Sequence, residues 1–343
     1  MEQKKLKAEL SRGELKRTYL LHGKEKFLVS HYAREIEKIC GAKNKDLFDG
    51  AIPAEQIIMA AETLPFSFDA AEKRLIIVRD SKLFAMAKKG DESETETETA
   101  SGRKADSEKM AEYLPKIPQD TVIIFIESDV DKRTRLYKKV AELDGVVDFA
   151  PLAPHELTKW ISHHAKQHGK QFSAGAAELL LRTCGTDMFN LKNETDKLIH
   201  HSGNTSNEIT RNDIAEICTP TLESRIFDLL KAMGNRRTSA ALKMYNDMLT
   251  LKESPFMILA MIIRQLRITL LCKCLAEKNT PRPQIVKELK LHEFAISEAI
   301  SQGRGVTSEK LISALENCQN TDIRIKSGLI TAEIGVEMLV MSQ

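Results

Sequence analysis

The 343-residue sequence lacks an apolar run long enough to cross a membrane. Its longest such stretch, FMILAMII, is far shorter than the ~18 residues that a spanning helix needs. The first residues, MEQKKLKAEL, do not have the pattern of a signal peptide. The six cysteines match no zinc or disulfide spacing. We therefore expect a cytoplasmic protein with reduced, mostly buried thiols, no metal and no membrane partner.

Charge is almost balanced, with a formal net charge of +2, but the acidic residues are unevenly spread. The stretch DESETETET at residues 91–99 carries five acidic side chains and no basic one. Residues 90–107 contain few apolar side chains and are low in complexity. Such a composition predicts a disordered acidic insertion on the surface.

The first 150 residues alternate between β-rich runs and helical segments. Two of the β-rich runs, LIIV and VIIFI, are continuously apolar, as expected for strands that are covered on both faces of a parallel sheet. This alternation predicts an α/β doubly wound domain. The predicted strands are RTYLL, KDLFDG, KRLIIVRD, TVIIFIES and GVVDFA.

After residue 151 the strand signal disappears. Several segments up to about residue 219 have helical periodicity and end at glycine, and TRNDIAEIC opens with the Thr-x-x-Asp pattern of a helix cap. Helical periodicity continues to the end of the chain and includes a long, buried-looking helix that begins at Ser254-Pro255. We predict a small helical domain over 151–219 and a larger one over 220–343.

The stretch YLLHGKEKFL resembles the start of a P-loop, in which a strand leads through Gly-Lys into a helix. A working P-loop has the pattern G-x-x-x-x-G-K-[ST], whose glycines cradle phosphate and whose hydroxyl binds magnesium. If Gly23-Lys24 closes the pattern, Thr18 replaces its first glycine and Glu25 replaces its hydroxyl. A carboxylate there would repel a triphosphate, so we expect no nucleotide to bind.

Several motifs, taken in order, resemble one family. They are YLLHGKEKFL, AAETLPFSFDAAEKRLIIVRD, VDKRTRLYKKV, NLKNETDKL, SRIFDLLKAMGNRRTSAAL, ILAMIIRQLR and DIRIKSG. Together they resemble the delta subunit of the bacterial DNA polymerase III clamp loader over almost the whole chain. The acidic insertion after Lys89, and Ser67 within an aromatic pair that is often contiguous in relatives, depart from the family pattern.

The resemblance implies an α/β plus all-α protein. It implies an AAA+-like domain over 1–150 with a degenerate P-loop, a helical lid over 151–219 and a helical collar for oligomerisation over 220–343. Its ATPase parts are incomplete here, because Asp80-Ser81 replaces the Asp-Glu pair of an active site and the arginine-finger motif Ser-Arg-Cys is absent. The family implication is thus an ATPase fold that does not hydrolyse ATP.

The resemblance also implies function and partners. Delta is a non-catalytic subunit of a DNA-directed DNA polymerase, a nucleotidyltransferase, and acts in DNA replication at the replisome. It joins the tau/gamma and delta-prime subunits in a hetero-pentamer, and ATP is bound by those partners. It then binds and opens the beta sliding clamp for loading onto primed DNA. Two alternatives stay open: an active AAA+ ATPase, and a subunit like delta-prime, which should show the arginine finger and lack the clamp wedge.

Three sets of site residues follow from the residues and the resemblance, and no catalytic residue is among them. The clamp-binding wedge is placed at residues 64–68, where the apolar side chains could instead pack beneath the following strand, and Ser67 leaves open which Phe dominates. The basic stretch DKRTRLYKK could contact DNA phosphate, although a solvated helix face is favoured. Three cations in apolar helices are interpreted as ties within the collar. The residues are Leu64, Pro65, Phe66 and Phe68 for the clamp, Lys132, Arg133, Arg135, Lys138 and Lys139 for DNA, and Arg264, Arg267 and Lys326 for the collar.

Overall fold

The computed structural model describes residues 3–41, 45–63, 73–85, 94–203, 206–291 and 293–342, with backbone only for 94–101 and 294. The chain divides into two compact units, Met1–Pro151 and Leu152–Gln343. The second unit contains both predicted helical domains, and their assignment as lid and collar stays a prediction.

A five-stranded parallel sheet forms the centre of the first unit. Its strands are β1 (Thr18–Gly23), β2 (Lys45–Asp49), β3 (Arg74–Arg79), β4 (Thr121–Glu127) and β5 (Val146–Phe149). They lie in the order β2-β3-β4-β1-β5, and all pair in parallel. The apolar runs of β3 and β4 are buried on both faces, which explains their lack of alternation. The predicted α/β sheet is therefore confirmed.

Helices cover the sheet and bury one apolar side each. They are α1 (Gln3–Ser11), α2 (Lys26–Cys40), α3 (Ala54–Glu62), α4 (Glu94–Tyr113) and α5 (Arg135–Glu142). A 3₁₀ turn at Leu114–Lys116 directly follows α4. Helix α2 ends at Gly41, whose positive φ of 63° suits a left-handed C-cap. Thr134 caps α5 by accepting a hydrogen bond from the backbone N–H of Tyr137.

The prediction that residues 90–107 form a disordered insertion is wrong for residues 94–107, which lie in α4. The C-terminal part of that helix is anchored, because Met110 and Ala111 are buried in the core of the first unit. Asp106 Oδ1 accepts a hydrogen bond of 3.2 Å from the backbone N–H of Ala54 at the start of α3. Lys109 pairs with Glu55 at 2.8 Å. Composition alone missed the helix because its apolar anchors follow the acidic run.

The second unit begins with four helices and one small sheet. The helices are α6 (Pro154–Gln167), α7 (Ala176–Cys184), α8 (Met188–Ser202) and α9 (Arg211–Ile217). Strands β6 (Gln171–Phe172) and β7 (Glu208–Ile209) pair in parallel, which corrects the expectation that this part has no strand. Two-residue strands are too short for a periodicity signal. The predicted cap is confirmed, since Thr210 and Asp213 form a capping box on α9.

Seven helices complete the second unit: α10 (Leu222–Gly234), α11 (Thr238–Thr250), α12 (Pro255–Glu277), α13 (Arg282–Leu289), α14 (Glu293–Gly303), α15 (Ser308–Lys326) and α16 (Ala332–Met341). Within the described residues, α12 is the one helix that is long and apolar enough to cross a membrane. It instead lies against α10, α14, α15 and α16, and its buried residues belong to two hydrophobic clusters. Such packing is typical of a core helix.

Candidate functional site

The connection between β1 and α2 is where a P-loop would lie. It consists of Lys24 and Glu25 only, because β1 ends at Gly23 and α2 begins at Lys26. Gly23 has a φ of +131°, and a Cβ atom there would overlap the backbone of Phe149 in β5. The Glu25 backbone N–H also donates a hydrogen bond of 3.0 Å to the Phe149 carbonyl. The end of β5 therefore packs directly on this connection.

The two residues that depart from the P-loop pattern have other structural tasks. Thr18 lies inside β1 and is 2% exposed, so the chain is extended where the first glycine of a loop would stand. The Glu25 carboxylate caps α2 by accepting a hydrogen bond of 3.4 Å from the Phe27 backbone N–H. Helix N-termini attract anions, and at the start of α2 that anion is the Glu25 carboxylate.

A second group of polar side chains lies at the carboxyl ends of β3 and β4. Glu127, the last residue of β4, is 4% exposed. Its Oε1 accepts hydrogen bonds from the backbone N–H of Ser81 at 3.0 Å and from the Ser81 hydroxyl at 2.5 Å. Burial raises the pKa of Glu127 to about 7, against the effect of these hydrogen bonds. Ser81, which lies two residues after the end of β3, thus anchors a buried carboxyl group at the end of β4.

His22, at the end of β1, pairs in register with Glu127 on β4 and with Asp148 on β5. Its side chain is buried, and burial lowers its pKa despite the Asp148 carboxylate nearby. Lys132 reaches the same strand ends and pairs with Asp148 at 3.1 Å. Sequence reasoning missed this row of titratable groups, because strand register alone brings residues so distant in the chain together.

The proposed clamp-binding residues Leu64, Pro65, Phe66 and Phe68 lie outside the described residues, so their role stays a prediction. Helix α3 ends at Glu62, directly before them. The first unit also exposes two large apolar side chains that no motif indicated: Met59 of α3 is 71% exposed and Leu47 of β2 is 52% exposed.

The basic stretch around α5 carries less free positive charge than its sequence indicates. Four of its five cations pair with carboxylates at distances of 2.7–3.1 Å. Such pairs compete with phosphate for the same cations, which weakens the case for a strong DNA site. Lys138 is exposed. The pairs are Lys132–Asp148, Arg133–Asp131, Arg135–Glu112 and Lys139–Glu142.

Of the three predicted collar cations, two make ion pairs inside the second unit. Arg264 on α12 pairs with Glu223 on α10 at 3.0 Å, which joins two helices. Lys326 pairs at 2.6 Å with Asp322, which lies one turn earlier in the same helix, α15, so this pair does not join two helices. Arg267 is exposed. The Arg264 pair joins two helices of the C-terminal part, and the role of all three cations as ties within a collar stays a prediction.

The helices after residue 220 expose many large apolar side chains. The chain after residue 220 carries ten of the thirteen such side chains found in the described part, and eight of these lie on helices, three of them on α16. Single exposed apolar side chains are ordinary on a protein surface, whereas a contiguous group of them marks contact with another molecule. The ten are Leu251, Phe256, Met257, Leu271, Ile312, Ile323, Leu329, Ile334, Met338 and Met341.

Comparison with known proteins is consistent with this architecture. The chain is 27% identical to DNA polymerase III subunit delta of Bacillus subtilis over 340 residues, which cover 97% of this chain and 94% of the relative. It is 20% identical to a probable DNA polymerase III subunit delta of Aquifex aeolicus over 250 residues, covering 72% and 67%. The solved structure of the Bacillus subtilis DNA clamp loader delta protein (YqeN) matches with a TM-score of 0.68 and 26% identity, over 98% of each chain.

Two family models match successive parts of the chain. The model of the DNA polymerase III delta subunit matches residues 19–149, and the model of its C-terminal domain matches residues 223–343. The first covers the parallel sheet and the second covers the C-terminal helices with their exposed apolar side chains. This chain belongs to the DNA polymerase III delta subunit family.

Proposed function

We propose that this protein binds the beta sliding clamp and opens it for loading onto primed DNA, without hydrolysing ATP itself. In this proposal the first unit is an AAA+-like fold that has lost nucleotide chemistry. ATP is bound by the tau/gamma partners, which form a cytoplasmic hetero-pentamer with this chain and delta-prime. The closed connection between β1 and α2 is the single observation that supports the part of the proposal concerning ATP, whereas clamp binding rests on family membership and on residues 64–68.

Three features of that connection argue against ATP binding. Two residues are too few for a loop whose N–H groups surround a phosphate. The Glu25 carboxylate lies at the start of α2, where a phosphate would bind. Ser81, which donates to the buried Glu127, takes the place of the carboxylate that would activate water.

Clamp binding is assigned to residues 64–68 on sequence and resemblance. Pro65 fixes its own φ and interrupts any helix that continues from α3, so Leu64 and Phe66 can be presented together. Burial of a Leu–Phe pair in a partner would supply about 3–5 kcal/mol. The wedge opens the ring only if it binds the open form more tightly than the closed one, because equal affinities shift no population.

Replacement of Leu64 and Phe66 with Ser tests the proposal. We expect the affinity for immobilised beta clamp to fall more than a hundredfold, corresponding to a loss of about 3 kcal/mol, in surface plasmon resonance. Phe189→Ser is a matched control, because Phe189 is 44% exposed and lies in the second unit. Phe68→Ser, compared with Phe66→Ser alone, identifies the dominant ring.

Circular dichroism separates the possible outcomes. A folded double variant that binds the clamp normally would show that the wedge lies elsewhere. A double variant that unfolds would instead show that these side chains pack in the core. Normal clamp binding by Phe189→Ser is required in either case.

A further inference from the structure

Three side chains able to bind a metal meet inside the second unit. Cys184 is the last residue of α7, Glu194 lies in α8, and Cys218 directly follows α9. The two sulfur atoms and one carboxylate oxygen lie within 4.8 Å of one another. All three residues are buried, with exposed fractions of 1%, 6% and 6%. Their spacing in the sequence, with gaps of different length and no CxxC pair, gives no sign of this cluster.

Packing alone accounts for the other buried cysteines more simply. A thiol behaves as a small apolar side chain, and Cys272 and Cys318 lie in apolar clusters. A carboxylate beside two thiols is different, because the three side chains together offer a set of ligand atoms that apolar packing does not require. Among the described residues, this is the one group of three such side chains with ligand atoms so close together.

Hydrogen bonds hold two of the ligands in place. The Asn190 side-chain amide donates to the Cys184 carbonyl at 2.7 Å, which fixes the end of α7 relative to α8. The Thr219 backbone N–H donates to Glu194 Oε2 at 3.3 Å, which fixes the segment after Cys218 relative to α8. Outer partners of this kind orient ligands in known metal sites.

We propose that Cys184, Glu194 and Cys218 bind one zinc ion that ties α7, α8 and α9 together. Two thiolates and one carboxylate together carry a charge of −3, so the site with Zn²⁺ bound has a net charge of −1. Lys197, which pairs with Glu194 at 2.7 Å, balances that remaining charge.

Tetrahedral zinc with bonds of about 2.0–2.3 Å brings its ligand atoms to within about 3.8 Å of one another. The ligand atoms now lie within 4.8 Å of one another. They would have to approach by up to about 1 Å, which rotation of the side chains can achieve. The Thr219 carbonyl oxygen, 4.0 Å from Cys184 Sγ, or a water molecule can fill the fourth position. A site so enclosed has a structural role rather than a catalytic one.

Metal analysis and cobalt substitution of the full chain test this inference. Protein purified from zinc-supplemented cells should contain about one equivalent of zinc. After removal of zinc by a chelator, added Co²⁺ should produce a thiolate-to-cobalt charge-transfer band and the intense visible bands of a tetrahedral site. Glu194→Gln preserves volume and should weaken Co²⁺ binding at least tenfold.

A pair of double variants provides the control. Cys184→Ala with Cys218→Ala should abolish the charge-transfer band, whereas Cys272→Ala with Cys318→Ala removes two other buried thiols and should leave the band intact. If the first variant fails to fold, the wild-type spectrum and Glu194→Gln still decide. The proposal is overturned if wild-type protein gives no band, if Glu194→Gln binds cobalt normally, or if mass spectrometry finds a Cys184–Cys218 disulfide in freshly isolated protein. None of these measurements depends on clamp binding.

Discussion

Two regions differ in what their surface groups contact. One is the connection after β1 in the first unit, and the other is the chain after residue 220 in the second unit. At the end of β1, the protein's own groups occupy the space: Gly23 packs on Phe149, and Glu25 caps α2. After residue 220, ten large apolar side chains are exposed within the described part. In the first region the backbone of β5 packs on the connection, whereas the second leaves large apolar side chains exposed to solvent.

Under the proposed function, Thr18 and Glu25 replace P-loop residues, and both make structural contacts, Thr18 within β1 and Glu25 as the cap of α2. Under the same proposal, a partner subunit covers the exposed apolar side chains after residue 220 in the assembled complex. We therefore expect mutations of the exposed apolar side chains after residue 220 to weaken assembly. Mutations in the connection after β1 should instead lower folding stability.

The largest effect is expected on assembly. Ile334 and Met338 are 50% and 43% exposed and lie one turn apart on α16, so Asp at both positions should disrupt a partner interface without disturbing the core. We expect assembly with the tau/gamma and delta-prime subunits to weaken about a hundredfold, corresponding to about 3 kcal/mol. Size-exclusion chromatography of the mixed subunits measures it.

Phe189→Asp is the control for this experiment, because Phe189 has a similar exposure of 44% but lies in α8. Both proteins should bind the beta clamp like the wild type. Normal assembly of the α16 variant would place the partner interface elsewhere and would weaken the contrast between the two regions.

The next effect concerns the closed connection after β1. Gly23→Ala should lower the free energy of unfolding by about 3 kcal/mol or more, because the added Cβ overlaps the backbone of Phe149 at a φ of +131°. Gly50→Ala is a matched control, since Gly50 has a φ of +84° and open space around its Cα. It should cost only about 1 kcal/mol in urea denaturation. Equal losses would show that β5 does not pack tightly on the connection.

How much of this could be predicted from the sequence depends on the range of the interactions. All five strands of the sheet and the cap at Thr210 follow from local patterns, and the structure confirms them. Local patterns also predict that Thr18, Glu25 and Ser81 lack P-loop and ATPase chemistry, and this stays a prediction. The bond between Ser81 and Glu127, the cysteine cluster and the anchoring of α4 all join distant residues, so no local pattern contains them.

Exposure was equally inaccessible to sequence analysis. The segment FMILAMII indicates a buried helix, yet Phe256 and Met257 are exposed while Ile258 and Leu259 are buried. The side of a uniformly apolar helix that faces solvent is set by the neighbouring helices rather than by its own periodicity.

A smaller effect should appear as a pH dependence of stability. Burial raises the pKa of Glu127 from 4.5 to about 7, so between these values the folded protein holds a proton that the unfolded chain has lost. Stability due to this group therefore falls as the pH rises, by about 2–3 kcal/mol across the window. His22 acts in the opposite direction, because burial lowers its pKa and its contribution to stability grows as the pH rises towards 6.5.

Comparison of Glu127→Gln with the wild type isolates the carboxyl group. Urea denaturation at about pH 5 and about pH 8 should show that the stability difference between the two proteins shifts by about 2 kcal/mol in favour of the variant at the higher pH. Parallel pH profiles would mean that Glu127 titrates normally and that Ser81 does not hold it in a buried position.

The smallest effect is expected when the P-loop hydroxyl is restored. Glu25→Thr supplies the missing hydroxyl and removes the carboxylate. If the charge of that carboxylate alone prevented ATP binding, this variant would bind ATP more tightly than the wild type. We expect no gain, because Thr18 remains inside β1 and the connection remains two residues long. Backbone N–H groups that surround a phosphate need a loop, which one substitution cannot create. Equilibrium titration with a fluorescent ATP analogue and magnesium measures this in both proteins. Micromolar binding by the variant alone would show that Glu25, rather than the backbone, closes the site. Micromolar binding by both would end the proposal that this chain leaves ATP to its partners.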